Sequence, residues 1–227
     1  MARVEQAVDR ALAIPPESRT PLDGLGATLL RVAWLSIILG VAMEILLLVV
    51  AVGFGTAESA PPFVADLVQK TSWSTLVCMG LALGTAAAGA RVPAMGLAGL
   101  FAAPLAFLVA RILHKGAAEA LGVATAGSGG LSPVLLGGLK GVEYAFLGAA
   151  LGWLGRRSGA RVAAYAAAGL AAGALFGGIV IALRVSASPD PLPGAALVAL
   201  ALNEILFPVG CSLVVLTAES LGKRASS

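Results

Sequence analysis

Four ionisable residues lie inside long apolar stretches of the sequence: Glu44, Lys140, Glu143 and Glu204. A charged side chain at the centre of a bilayer costs about 2.5–3.5 kcal/mol on insertion scales. Each of the four is therefore expected to be paired, protonated or turned toward water. Carboxylates held at such depth are the groups that membrane transporters use to exchange protons or bind cations.

The three acids are expected at similar depths. Glu44 follows Arg31 by 13 residues, and Glu143 precedes Arg156 by 13 residues. At a rise of about 1.5 Å per residue, each acid lies roughly 20 Å from its basic flank. Glu204 lies about ten residues into the last apolar stretch, roughly 15 Å deep. The three carboxylates are therefore predicted to cluster near the midplane of a membrane.

Lys140 and Glu143 are three residues apart, so a helix would put them on one face with Tyr144 beside them. Two interpretations stay open. The two residues form either a self-satisfying ion pair that lowers the cost of insertion, or a functional pair. In the functional pair, Lys140 keeps Glu143 charged or is displaced by an entering cation.

Asn203, Glu204 and Pro208 form a second candidate group. Pro208 has no amide proton, so the carbonyl of Glu204 loses its helical hydrogen bond. That carbonyl, the Glu204 carboxylate and the Asn203 amide would make an oxygen-rich site, which hard cations prefer. Pro104 frees the Leu100 carbonyl in the same way, with a simple kink as the other interpretation.

These patterns predict one set of site residues and two helix breakers. The identity of any bound metal is left open. The predicted ion- or substrate-binding residues are Glu44, Lys140, Glu143, Tyr144, Asn203 and Glu204, and the predicted helix-breaking residues are Pro104 and Pro208.

Composition determines what kind of molecule must position these groups. The 227 residues are 59% apolar and 12% charged, against roughly 45–50% and about 25% in an average soluble domain. This excludes a disordered chain, a nucleic-acid-binding domain and an ordinary soluble enzyme. The fold class is therefore predicted to be an all-α, polytopic integral membrane protein.

Few residues are suited to catalysis or to metal binding. The sequence has one His and two Cys, Cys78 and Cys211, each within an apolar stretch. One His cannot build a His-based metal site, no disulfide framework is expected, and each Cys is expected to be a buried free thiol. No His pair, metal-spaced carboxylate motif or activated nucleophile is recognisable. The chain is therefore predicted not to be an enzyme and to need no cofactor.

Six apolar stretches are long enough to cross the roughly 30 Å hydrocarbon core. The polar residues 56–72 between the first two are expected to form a small amphipathic helix on the membrane surface. The predicted transmembrane helices cover about 32–55, 73–90, 93–113, 134–155, 162–183 and 195–217.

Six spans put both termini on one side of the membrane. Ten Lys and Arg residues flank the spans on that side and four on the other, which predicts cytoplasmic termini in the cell (inner) membrane. The predicted segments are a cytoplasmic tail with a short amphipathic interfacial helix at 1–26, a first three-helix repeat at 27–115, an extracytoplasmic loop or surface helix at 116–132, a second three-helix repeat at 133–218 and a cytoplasmic tail at 219–227.

The two predicted halves resemble each other in sequence. Matching residues recur 100 positions apart, and a Gly-Leu-Ala-x-Gly pattern at 80–84 recurs at 169–173. Three spans per half is an odd number, so the second half must enter the membrane from the opposite side. The prediction is a 3+3 inverted repeat. The matched pairs are Pro93 and Pro193, Leu97 and Leu197, Leu100 and Leu200, and Phe107 and Phe207.

Two function classes follow from these features. The first is a small transporter or channel that uses the midplane carboxylates to move a cation or protons. Coupling to a solute is a further option within this class. The second is a non-catalytic membrane subunit of a larger complex, such as the substrate-binding subunit of an ATP-driven importer or an assembly scaffold. In that case the acids would pair with partner helices. The expected partners are the lipid bilayer, a cation or proton, and a second copy or a partner membrane subunit. Nucleic acid is not expected.

Overall fold

The structure is a computed structural model that describes residues 21–57, 59–87, 89–123, 131–157 and 161–224. Within these ranges the chain forms six helices. The helices are α1 (Pro21–Gly53), α2 (Ala60–Gly84), α3 (Arg91–Ala120), α4 (Pro133–Leu154), α5 (Val162–Ala187) and α6 (Gly194–Arg224).

Five of the helices, all except α2, are long and apolar enough to cross a membrane. Many of their large apolar side chains point away from the bundle, among them Phe101, which is 71% exposed, and Val134, which is 84% exposed. Lipid is the environment in which such a surface is stable. The chain is therefore a helical membrane protein with several apolar helices.

The predicted boundary at residue 72 is wrong. The expected surface helix within 56–72 and the expected span at 73–90 form one continuous helix, α2, which ends at Gly84. Ser59 gives no side-chain cap at the start of α2, and Thr56 donates to the Ala51 carbonyl in the last turn of α1. Within the helix, Thr71, Ser72 and Thr75 donate hydrogen bonds to backbone carbonyls four residues earlier, which partners their hydroxyls inside an apolar helix.

Several predicted segment ends are also displaced. The predicted loop at 116–132 begins inside α3, which continues to Ala120, and its residues 124–130 lie outside the described ranges. The predicted C-terminal tail at 219–227 begins inside α6, which continues to Arg224. At the other end, α1 starts at Pro21, before the predicted boundary at 26, and the predicted interfacial helix falls in the undescribed residues 1–20.

The predicted helix breakers do not break helices. Pro104 lies within α3 and Pro208 lies within α6, and both helices run through them. A membrane helix tolerates proline because neighbouring helices and small local adjustments accommodate the freed backbone groups. Gly141 of α4 covers the Leu100 carbonyl, and a Cβ at Gly141 would lie 2.9 Å from that oxygen. Gly173 of α5 covers the Glu204 carbonyl in the same way, at 3.0 Å.

Glycine faces hold the helices close together, as expected where lipid gives little hydrophobic drive for association. Gly80 and Gly84 of α2 pack on Ala102 and Met95 of α3. Gly148 of α4 packs on the Met95 backbone. A third seam runs from α5 to α6, where Gly169, Gly173 and Gly177 pack on Val209, Ile205 and Glu204.

Candidate functional site

Lys140 on α4 bridges two buried carboxylates that come from different helices. Its Nζ donates to Glu143 Oε2 at 2.7 Å, on the same helix, and to Glu204 Oε2 of α6 at 2.5 Å. The exposed fraction of the side chain is 12% for Lys140, 0% for Glu143 and 8% for Glu204. The sequence predicted a pairing of Lys140 with Glu143, and the structure brings Glu204 to the same ammonium. We call these three residues the charge cluster.

The Glu143 carboxylate is satisfied on one side only. Its Oε1 is buried and has no hydrogen-bond partner among the residues that the structure describes. Buried polar atoms are nearly always partnered, because leaving one unsatisfied costs about 1–3 kcal/mol. A proton or a cation at this oxygen would relieve that cost.

Glu44 has a different basic partner. Its Oε2 lies 2.6 Å from Nζ of Lys70 on α2, and the exposed fractions of the two side chains are 6% and 14%. The pair links α1 to the polar part of α2. Of the three acids predicted to cluster, two therefore share Lys140 and the third is held by Lys70.

A cavity of about 300 Å³ lies beside the charge cluster and is lined by all six helices. We call it the central cavity. Its lining residues are Leu47, Gln69, Lys70, Trp73, Phe107, Ala110, Lys140, Tyr144, Arg184, Ala199, Leu200, Asn203, Glu204 and Phe207. Two predicted site residues outside the charge cluster, Tyr144 and Asn203, thus lie on its wall. The freed Glu204 carbonyl does not share the predicted oxygen site, because it lies in the α5–α6 seam.

A neighbouring cavity of about 360 Å³ holds the other acid. It is lined by Glu44, Asp66 and Thr56 among mostly apolar residues, and it shares Leu47, Lys70 and Ala199 with the central cavity. Lys70 therefore faces both cavities, one on each side. The Glu44–Lys70 pair and the charge cluster thus border adjoining cavities.

Both cavities lie at one end of the bundle. Their walls come mainly from the later halves of α1, α3 and α5 and the earlier halves of α2, α4 and α6. The opposite end, where α1 begins and α6 ends, is tied by an ion pair between Arg91 of α3 and Glu219 of α6. Close packing also marks this end, where the Arg91 guanidinium lies over Gly155.

The cysteines are free thiols, as expected, and both are fully buried. Cys78 of α2 lies 3.0 Å from Cys211 of α6, sulfur to sulfur, and the Tyr144 hydroxyl lies 3.9 Å from Cys211. Within the described residues, no group of three or more His, Cys, Asp or Glu side chains is arranged to hold a metal ion.

Sequence reasoning missed two residues of the site, Lys70 and Arg184, which it used only as flanking bases that report orientation. For Lys70 a usable signal existed. The polar residues 66–75 are compatible with a helix, and joining them to the apolar stretch that follows would have put Lys70 well inside it. For Arg184 there was no such signal, because only the packing of α5 turns its side chain toward the central cavity.

Comparison of the chain with protein-family models, with curated proteins and with solved structures returned no match.

Proposed function

We propose that this protein is a small transporter or channel that moves protons or a monovalent cation across a membrane through the charge cluster. The observation that carries the proposal is a largely buried lysine shared by two buried carboxylates, with the lysine and one carboxylate, Glu204, at the wall of a cavity. Secondary transporters hold their substrates and coupling ions in sites where several helices meet, as six helices do around this cavity.

The charge balance of the cluster favours exchange of one positive charge. With Lys140 protonated and both carboxylates ionised, the cluster carries one excess negative charge. An unbalanced charge is costly in a low-dielectric interior. One proton or one monovalent cation cancels it, and the unpartnered Glu143 Oε1 offers the place. Releasing that ion and binding the next one would complete a transport step.

A transporter of this design needs α2 to cross the membrane, which gives six spans. At 25 residues, α2 is about 38 Å long, more than the roughly 30 Å core. Its polar groups have partners inside the protein: Lys70 pairs with Glu44, Ser74 donates to the Ser36 carbonyl at 2.7 Å, and Asp66 lies 3.0 Å from His114. These contacts support a spanning α2 despite its polarity.

We also propose the 3+3 inverted repeat, with α1–α3 related to α4–α6. The packing of α2 on α3 and of α5 on α6 supports it, although α1 packs on α2 more extensively than α4 packs on α5. The repeated glycine pairs each pack on the third helix of their own half. With the termini cytoplasmic, as the basic residues favour, the cavities would open to the outer side of the cell membrane.

The test is ion flux in liposomes that contain the purified protein. Proton movement is followed with a trapped pH-sensitive dye under an imposed membrane potential, and the assay is repeated with sodium and potassium gradients. We expect flux from the unchanged chain, and we expect Glu143→Gln, Glu204→Gln and Glu44→Gln each to reduce it to the level of empty liposomes.

The matched control is Glu119→Gln, which makes the same chemical change at a carboxylate that is 65% exposed and paired with Lys115. It should keep the full flux. Absence of flux from the unchanged chain under all three gradients would contradict the proposal, and so would normal flux in the three buried variants.

The alternative of a non-catalytic subunit is distinguished by the same preparation. In that case the acids would be held for partner helices, and the protein would co-purify with a partner and be inactive alone. The basic partners of Glu44, Glu143 and Glu204 all come from this chain, which gives the transporter the stronger support.

A further inference from the structure

The central cavity carries a base that forms no ion pair within the described residues. Of its three basic side chains, Lys70 is paired with Glu44 and Lys140 with two carboxylates of the charge cluster. Arg184, in the last turn of α5, also lines the cavity. Across the part of the chain that the structure describes, Arg184 has no ion pair, and its buried Nε has no hydrogen-bond partner.

An unpaired guanidinium in a cavity fits a planar anion. Arg has five donors in a rigid fork, and that fork matches the two oxygens of a carboxylate. Arg184 lines the central cavity, so a ligand there would meet its side chain. Amide groups of Gln69 and Asn203 lie on the same wall and can donate further hydrogen bonds.

The remaining wall is apolar and largely aromatic. Trp73, Phe107, Leu200 and Phe207 line it, and Trp73 packs edge-on against Phe107 with ring centroids 6.4 Å apart. A volume of about 300 Å³ is at the lower limit of small-molecule pockets, roughly 300–1,000 Å³. Such a wall excludes a strongly hydrated inorganic anion and suits a ligand with a small apolar body.

We propose that the central cavity binds a small organic monocarboxylate, with its carboxylate on Arg184 and its apolar body against Trp73 and Phe207. The inference rests on the proposed function in that it identifies the class of coupled solute for the same cavity. The excess negative charge of the charge cluster is cancelled by the coupled proton or cation, so one negative charge on the ligand matches the positive charge of Arg184. A ligand with two negative charges would leave one unpaired in the cavity.

The experiment measures binding to the purified protein and requires no flux. The probes are butyrate, hexanoate and benzoate, each paired with its own amide, which has nearly the same shape but no charge. Binding is read from ligand-dependent thermal stabilisation and from titration calorimetry. We expect at least one acid to bind and its amide to bind at least about tenfold more weakly, as loss of a charge-assisted hydrogen bond implies.

Variants at Arg184 and Lys115 complete the test. Arg184→Gln should weaken binding of the acid by at least about tenfold and leave the amide unaffected, while Arg184→Lys should restore part of it. The control Lys115→Gln removes a base that is 70% exposed and lies outside the cavity, and it should bind normally. Equal binding of acid and amide, unchanged binding by Arg184→Gln, or no binding of any acid would overturn the inference.

The two proposals fail separately. Ion flux that depends on Glu204 without any carboxylate binding would remove only the ligand assignment. Carboxylate binding that depends on Arg184 without any flux would keep the binding site and remove the transport function.

Discussion

At the residue scale, the charge cluster contains two acids and one base, so losing the base should cost more stability than losing one acid. Lys140 is the partner of both carboxylates, whereas each carboxylate is only one of two partners of Lys140. Removing one carboxylate therefore leaves a neutral pair. Removing the lysine leaves two buried carboxylates and no base between them.

We expect Lys140→Met to lower the free energy of unfolding by about 3–5 kcal/mol, because breaking a buried ion pair from one side leaves uncompensated charge. Glu204→Gln should change it by less than about 1 kcal/mol, because Lys140 keeps Glu143 as its partner. Unfolding in mixed detergent micelles, followed by circular dichroism, measures both. If Glu204→Gln proves as destabilising as Lys140→Met, the lysine is not the common partner.

The sequence was informative about which residues belong to the site but not about their pairing. Glu44, Glu143 and Glu204 were recognisable because charge is rare in apolar stretches. Spacing along one helix also predicted the contact of Lys140 with Glu143. Contacts between helices, such as Lys140 with Glu204 or Lys70 with Glu44, depend on how the helices rotate against each other, which no local pattern encodes.

At the element scale, the seam between α3 and α4 determines where the charge cluster lies, because α4 carries Lys140 and Glu143. Gly99 of α3 lies against the Tyr144 carbonyl, and Gly148 of α4 lies against the Met95 carbonyl. Backbone thus touches backbone on both sides of this seam. A single added methyl group must push the two helices apart.

Gly148→Ala should lower the free energy of unfolding by about 1–3 kcal/mol, the usual cost of forcing extra volume into a packed interior. The matched control is Gly138→Ala on the same helix, where an added Cβ would meet nothing within 4 Å. That variant should be neutral or slightly stabilising, since Ala favours a helix by up to about 1 kcal/mol over Gly. Equal stability of the two variants would show that the seam is not closely packed.

The helices themselves were predicted with uneven success, for identifiable reasons. Long apolar stretches gave five helices near their observed positions. Helix ends were misplaced where a helix continues beyond its apolar part, as α3 does to Ala120 and α6 does to Arg224. Pro104 and Pro208 were misjudged because their freed carbonyls are covered by glycines of neighbouring helices, a tertiary contact that sequence near the proline does not reveal.

At the scale of the whole molecule, the two ends of the bundle differ. Cavities with buried charges occupy one end, and the Arg91–Glu219 ion pair between α3 and α6 ties the other. In the proposed repeat these two helices belong to different halves. The ion pair therefore joins the halves at the closed end, which is the arrangement expected of one state of a transporter that opens to each side in turn.

The proposed six-span repeat requires α2 to cross the membrane. Labelling of single introduced cysteines tests whether it does. In a background of Cys78→Ala and Cys211→Ala, we place a cysteine at Ala57, between α1 and α2, or at Ala86, after α2; both positions are exposed. If α2 spans, a membrane-impermeant maleimide labels the two positions from opposite sides of sealed vesicles. Labelling of both from one side would mean that α2 does not cross.

A third position, Ala199→Cys, reports on the cavities, because Ala199 lines both. Its cysteine should react from the same side as the one at Ala57, since the walls of the cavities come from that end of the bundle. Glu219→Gln removes the ion pair at the other end and should raise the reactivity of Ala199→Cys from the side of Ala86. The physical reason is that Arg91 then loses its partner on α6, so the closed end separates more often. Labelling of Ala199→Cys only from the side of Ala86 would mean that the cavities open at the end we describe as closed.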